Sequence, residues 1–346
     1  MKRQIGQQTL LFENRPYVIG SAGIVSKSES EGPLAESFDR IEPDDTFGQD
    51  SFEKAERTLY LETIRLACQK SGLQPKKLSA LLGGDLLNQL ITSNYAAREL
   101  GVPYLGLYGA CSTMSESLLL GSVLVDAGFR SPVACVACSH FSTAERQYRY
   151  PLEMGTTAPP TAQRTVTGAG CVLLADRADS DSRYSHIRIS SATIGTVIDL
   201  GINDIANMGA AMAPAACDTI QKHLKDMNRK SSDYDRIVTG DLGTLGSELL
   251  CKLCSQNGIS LSNVHMDCGA SIYSPEQGYN CGGSGCGCSA VVLTGHLLPQ
   301  LESGALKRIL FLATGALMSP TSCQQGESIP GIAHAVVLEH AEGGEA

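Results

Sequence analysis

Short apolar runs alternate with longer stretches of helical periodicity along most of the chain. Tyr17–Val25 is a nearly unbroken apolar run, the pattern of a strand buried on both faces. The polar stretch Ser26–Asp50, rich in Ser, Glu, Asp and Pro, reads as a surface loop. From Phe52 to Ser71 the residues Leu59, Leu61, Ile64, Leu66 and Ala67 cluster on one side, which predicts a helix that Gly72 stops. A short buried strand, Leu78–Leu82, then leads through Gly83-Gly84-Asp85 to a helix over Asn88–Leu100. A strand at Tyr104–Tyr108, a turn holding Cys111, a helix over Ser115–Ala127 and an apolar strand at Pro132–Ser139 follow.

The second half of the chain repeats this order. A helix over Ala213–Met227 precedes a strand at Arg236–Thr239 that ends in Gly240-Asp241-Leu242, and the earlier strand ends in the same triplet, Gly84-Asp85-Leu86. Both triplets are followed by a helix that closes near a glycine, Gly101 or Gly258. Gly128-Phe-Arg leading into Val133–Ala137 matches Gly304-Ala-Leu-Lys leading into Ile309–Ala313, and each half closes on an alanine-containing strand, Ala169–Ala175 or Ala333–Glu339. Matching points lie about 156 to 176 residues apart, the spacing of a duplicated domain and far above that of a solenoid. The expected architecture is therefore α/β, with two duplicated halves, 1–185 and 186–346, each a mostly parallel sheet covered by helices. In such sheets ligands bind beyond the carboxyl ends of the strands. Asp85, Cys111, His140 and Asp241 all fall there.

Composition narrows the function. The chain has 346 residues, 42% apolar and 18% charged, enough for two sizeable cores. A formal charge of −9, 5% aromatics and no Trp argue against a nucleic-acid surface, which needs clustered cations and stacking rings. No apolar run approaches the length that spans a bilayer, and Met1–Leu11 lacks the apolar core of a signal peptide. Synthesis in the cytosol is the expectation, with the thirteen cysteines as reduced thiols.

Cys111 sits in Tyr108-Gly-Ala-Cys111-Ser-Thr-Met, a sharp turn into an apolar helix. The helix dipole favours a thiolate there, and its free N–H groups can hold an oxyanion; a small buried residue at a junction would also fit. The segment resembles the nucleophile turn of thiolases and β-ketoacyl synthase III, and Gln163–Ala175 resembles the strand that closes the first half of those enzymes. More narrowly, Gly84-Asp-Leu-Leu-Asn-Gln89, Thr143–Tyr150 and Pro160–Gly170 resemble the stage V sporulation protein AD family. That resemblance implies a thiolase-like fold with five αβαβα layers. It also implies binding of dipicolinic acid (pyridine-2,6-dicarboxylate) for uptake into the developing spore, alongside other stage V sporulation membrane proteins. Peripheral placement at the forespore membrane follows, without a spanning segment.

A condensing enzyme of this type uses its cysteine as nucleophile, with a His and an Asn or second His to stabilise the enolate oxygen. In that enzyme family the His follows the first strand of the second half, which here is expected to be Ile237-Val-Thr-Gly240-Asp241, and an aspartate would repel an oxyanion. Asn280, in Gly278-Tyr-Asn-Cys-Gly-Gly-Ser, matches the family's Asn only loosely. The pattern thus favours ligand binding over catalysis, with Cys111 vestigial; the alternatives are a condensing acyltransferase using Cys111 and a scaffold kept for protein contacts. A dicarboxylate needs donors or cations. The candidates are the amides around Cys111, with His140, Arg146, Arg149 and Asn280, while Asp85 and Asp241 need a proton, a cation or a hydrogen-bonding role beside it. No protein-bound cofactor is expected, although Ca²⁺ can travel with dipicolinate. Thiolase-fold proteins usually form homodimers through the first-half sheet, and Val133–Ala137 is the strand expected to continue that sheet across a two-fold axis.

Other signals read as structure. Cys135 and Cys138 lie on one strand, where alternation sends them to opposite faces, and Cys251 and Cys254 lie on one helix without a second pair. Gly282-Gly-Ser-Gly-Cys-Gly lacks the Lys-Ser/Thr ending of a P-loop and reads as a close-packing device. His265, His296 and His334 show no metal-ligand spacing.

Overall fold

A computed structural model of the chain describes residues 4–14, 16–149, 158–177, 184 and 186–341, with Arg149 described by its backbone alone. Five principal strands, besides shorter ones, build the first half: β1 (Tyr17–Val25), β2 (Ala80–Gly84), β3 (Tyr104–Gly106), β4 (Val133–Ser139) and β5 (Gly168–Ala175). Five build the second: β6 (Ile187–Thr193), β7 (Arg236–Thr239), β8 (His265–Asp267), β9 (Arg308–Ala316) and β10 (Gly331–His340). Across the sheet they run β3-β2-β4-β5-β1 and, continuing, β6-β10-β9-β7-β8. Each half thus has its third, second, fourth, fifth and first strand in that order, and its fifth strand runs antiparallel to the fourth and first strands beside it. The duplication legible in the Gly-Asp-Leu triplets is a duplication of topology. The first strands of the halves meet at an antiparallel seam, Arg188 opposite Tyr17.

Helices α1 (Phe52–Lys70) and α2 (Ile91–Leu100) cover the outer face of the first sheet. The outer face of the second is covered by α4 (Met208–Asp226) and α5 (Gly243–Gln256). Between the sheets lie α3 (Thr113–Asp126), which packs on β4 and β2 of one half and on β9 and β10 of the other, and α6 (Cys286–Val292). Three apolar clusters follow from this layering, one outside each sheet and one between them. Cys135 belongs to the central cluster and Cys138 to an outer one, as strand alternation requires. Gly101 and Gly258 close equivalent helices with φ of 68° and 74°, a left-handed conformation that glycine adopts without steric cost.

Several sequence expectations change. Ser26–Asp50 is more than a surface loop: it carries the buried Glu29, and Arg40–Ile41 pairs with the end of β1. Strand β6, an Ile-Arg-Ile-Ser-Ser-Ala-Thr segment, was not anticipated, because its alternation is partial and its partners lie far off in sequence. Helix α2 begins at Ile91, preceded by a turn in which Gln89 and Leu90 have positive φ. Helix α4 begins at Met208, where Asn207 Oδ1 accepts from Ala210 N–H at 3.3 Å. Val133–Ala137 is no free edge, since β4 is paired on both sides, with β2 and β5. The free edge of the first half is β3.

Candidate functional site

The chain leaves β3 at Gly106, and Ala110 takes a φ of 50°, so Cys111 is presented at a tight turn immediately before α3. The turn is held from within: Ser112 N–H donates to Gly109 O (3.0 Å) and Thr113 Oγ1 to Ala110 O (2.8 Å). It is also seated on the other half. A Cβ at Gly315 of β9 would stand 2.3 Å from Gly109 O, so only glycine permits this close approach. Cys111 is buried, and the Asp241 carboxyl and the Gly285 N–H of the second half are nearby polar groups that act on its thiol. Burial pushes the thiol well above its ordinary pKa, and the charge of Asp241 adds to the effect.

Asp241 follows β7 and is completely buried. Its Oδ1 accepts from Thr314 Oγ1 (2.8 Å), and its Oδ2 from Gly285 N–H (2.9 Å) and more distantly from Ser284 Oγ (3.4 Å). Gln163 Nε2 fixes the backbone on either side, donating to Asp241 O and Gly283 O at 2.7 Å each. Asp241 is free to face the thiol because Asp267, at the end of β8, accepts from Leu242 N–H and Gly243 N–H (both 2.9 Å). Burial raises both carboxyls, that of Asp267 to about 6.

The remaining sequence candidates lie elsewhere. Asp85 Oδ1 accepts from Leu87 N–H (2.9 Å), while its Oδ2 accepts from Ser93 N–H (2.8 Å) and Ser93 Oγ (2.6 Å), so the carboxyl organises the turn into α2. His140 is buried; Nδ1 accepts from Ser142 N–H (3.1 Å), which leaves Nε2 to donate to Asp45 O (2.8 Å). Both ring nitrogens are thus occupied, and burial lowers its pKa. Arg146 pairs with Glu53 at 3.1 Å on the surface beside Phe52. The side chain of Arg149 lies outside the described residues. Asn280 Nδ2 donates to Pro159 O at 3.0 Å and does not line the cavity at Cys111.

Two neighbouring cavities open at this junction. The inner one, about 40 Å³, is bounded by Cys111, Tyr108, Tyr148, Thr165, Ser284 and Met208. The outer one, about 190 Å³, is bounded by Phe141, Gln163, Arg164, Tyr279, Asn280 and Met208, with Glu145 on the same wall. Ile205 and Met208 border both. Gln163, Arg164, Tyr279 and Ser284 were not singled out from the sequence. Their signal is the Gln163-Arg164-Thr165 segment, which forms a short parallel pairing with Gly283–Ser284 and so joins the halves at the site. Among the described residues no group of three or more His, Cys, Asp or Glu is placed to hold a metal ion, and no helix is long and apolar enough to cross a membrane.

This architecture, two equivalent sheets enclosing paired helices with a cysteine at the junction, is a thiolase-like fold. Synthase structures share it: 3-oxoacyl-[acyl-carrier-protein] synthase III from Aquifex aeolicus VF5 aligns with a TM-score of 0.56 and 12% identity, over 94% of this chain and 100% of that one. A Xanthomonas campestris OleA structure aligns with a TM-score of 0.61 and 14% identity, over 95% and 99%. Sequence similarity is far more specific. The profile of the family Stage V sporulation protein AD (SpoVAD) matches residues 6–339. Stage V sporulation protein AD of Bacillus subtilis (strain 168) is 47% identical over 339 residues, 98% of each chain. The chain belongs to the stage V sporulation protein AD family.

Proposed function

We propose that the protein binds dipicolinic acid at the junction of its halves, for uptake into the developing spore, and that Cys111 forms part of the site without acting as a nucleophile. The observation that carries this reading is that Cys111 and the Asp241 carboxyl are buried together at the junction, with Asp241 held there by Gly285 and Thr314. A condensing site needs a thiolate and a donor for developing negative oxygen. A buried carboxyl against the thiol opposes both. It would not repel a ligand strongly, because Asp241 is turned to the thiol and its oxygens are bonded by Gly285, Thr314 and Ser284. The inner cavity holds little more than water, so the body of an aromatic dicarboxylate belongs in the outer one, with Ile205 and Met208 between them.

Titration of the purified chain with dipicolinate by calorimetry tests the reading. Saturable heat is expected; absence of heat and of competition at millimolar ligand removes it. The fold favours one rival, a condensing acyltransferase, whose mark is an acyl adduct on Cys111 after incubation with acyl-thioesters. Any Ca²⁺ would enter on the ligand. Membrane-embedded stage V partners would supply the conduit, with this protein peripheral to it. A homodimer would form along the free β3 edge, where Leu105 is exposed.

A further inference from the structure

A dicarboxylate brings two negative charges to a chain that already carries −9, so its site needs a cation that is not spent on another acid. Arg146 is paired with Glu53 and lies on another surface. Arg164 lines the outer cavity itself. Its backbone is locked at the junction, with Arg164 N–H donating to Gly282 O at 2.8 Å and the residue in register with Gly283. Its guanidinium lies over the rings of Phe141 (3.8 Å to the centroid) and Tyr279 (4.6 Å). That stacking fixes the plane of the group and removes most of its rotamer freedom before any ligand arrives.

The donor inventory is incomplete. One Nη donates to Ser28 Oγ at 3.2 Å, while Nε is buried and has no acceptor among the described residues. No ion pair to Arg164 occurs among them either. The buried Glu29 nearby, whose carboxyl is raised to about 7, accepts from the Tyr273 hydroxyl and from Thr167 N–H. A buried donor without a partner is costly.

We propose that Arg164 is the residue that recognises a ligand carboxylate in the outer cavity, its stacked guanidinium presenting an N–H edge to a planar aromatic acid. This rests on the reading of the site as a dipicolinate site and names the group that confers its preference for anions. Arg164 sits inside Pro160–Gly170, one of the segments by which the chain resembles its family, in a position where the strand pairing alone makes no demand on a guanidinium.

The test is calorimetric titration of the full chain, R164Q and R164K with dipicolinate and with pyridine-2-carboxylate. R164Q is expected to bind dipicolinate about 10- to 100-fold more weakly, the usual loss for a charge-assisted hydrogen bond. Its preference for the di-acid over the mono-acid should collapse, whereas a merely structural lesion would weaken both alike. R164K, which keeps the charge without the planar fork, should fall between, and it supplies the reading if R164Q does not fold. A folded R164Q or R164K that binds dipicolinate within about twofold of the wild type overturns the role of Arg164 and leaves the dipicolinate reading standing. Absence of heat with the wild type itself removes both.

Discussion

Asp85 and Asp241 end the second strand of their respective halves, each inside Gly-Asp-Leu, and the two have different roles. Asp85 spends its oxygens on Leu87 and Ser93, and so sets where α2 begins. In the second half the corresponding turn is held by Asp267, which accepts from Leu242 and Gly243, and Asp241 turns toward Cys111. Duplication delivered the same residue to the same strand end twice. The surrounding donors decided which copy anchors its turn and which faces the cysteine.

The comparison breaks most easily at Asp85. Asp85→Ala leaves two buried N–H groups without an acceptor and should cost about 3–5 kcal/mol of stability in urea denaturation. A loss under about 1 kcal/mol would mean that Asp85 is not the anchor of its turn. Asp267 sharpens the contrast through pH. Its folded carboxyl, raised from 3.8 to about 6, binds its proton more tightly than the unfolded chain does. Its contribution is therefore fully present below about pH 4 and lost as pH rises toward 6, a fall on the order of 3 kcal/mol. Asp267→Asn should flatten the stability profile across that window in denaturation series; an unchanged slope would assign the proton elsewhere. The smallest effect belongs to Asp241. Asp241→Asn removes the charge facing the thiol and should speed Cys111 alkylation near neutral pH by about tenfold, read by peptide mass spectrometry. An unchanged rate would show that burial alone sets the thiol.

Much of the fold was legible because it repeats. The Gly-Asp-Leu triplets and the closing glycines Gly101 and Gly258 revealed two equivalent halves, and unbroken apolar runs gave the buried strands. Strand β6 escaped because Ile187–Thr193 mixes small polar residues with apolar ones and gains its place only from β10 and the seam. For the candidate site, positions along the strands were legible in the sequence and the directions of the side chains were not. Cys111 and Asp241 lie past strand ends as expected, yet so do Asp85 and His140, whose side chains are bonded to nearby backbone. A strand end tells where a side chain starts; the donors of other segments decide where it points. Arg164 was hidden for a related reason, since its sequence context shows a strand start and gives no sign of the Phe141 and Tyr279 rings against it in space.

The central claim is that Cys111 is held as a neutral thiol by burial and by Asp241. The pH profile of Cys111 alkylation in the wild type, resolved by residue, tests it most directly. A half-point well above the roughly 8.5 of a free thiol, falling in Asp241→Asn, is the predicted result. A half-point at or below neutral pH, as in an activated nucleophile, would contradict it.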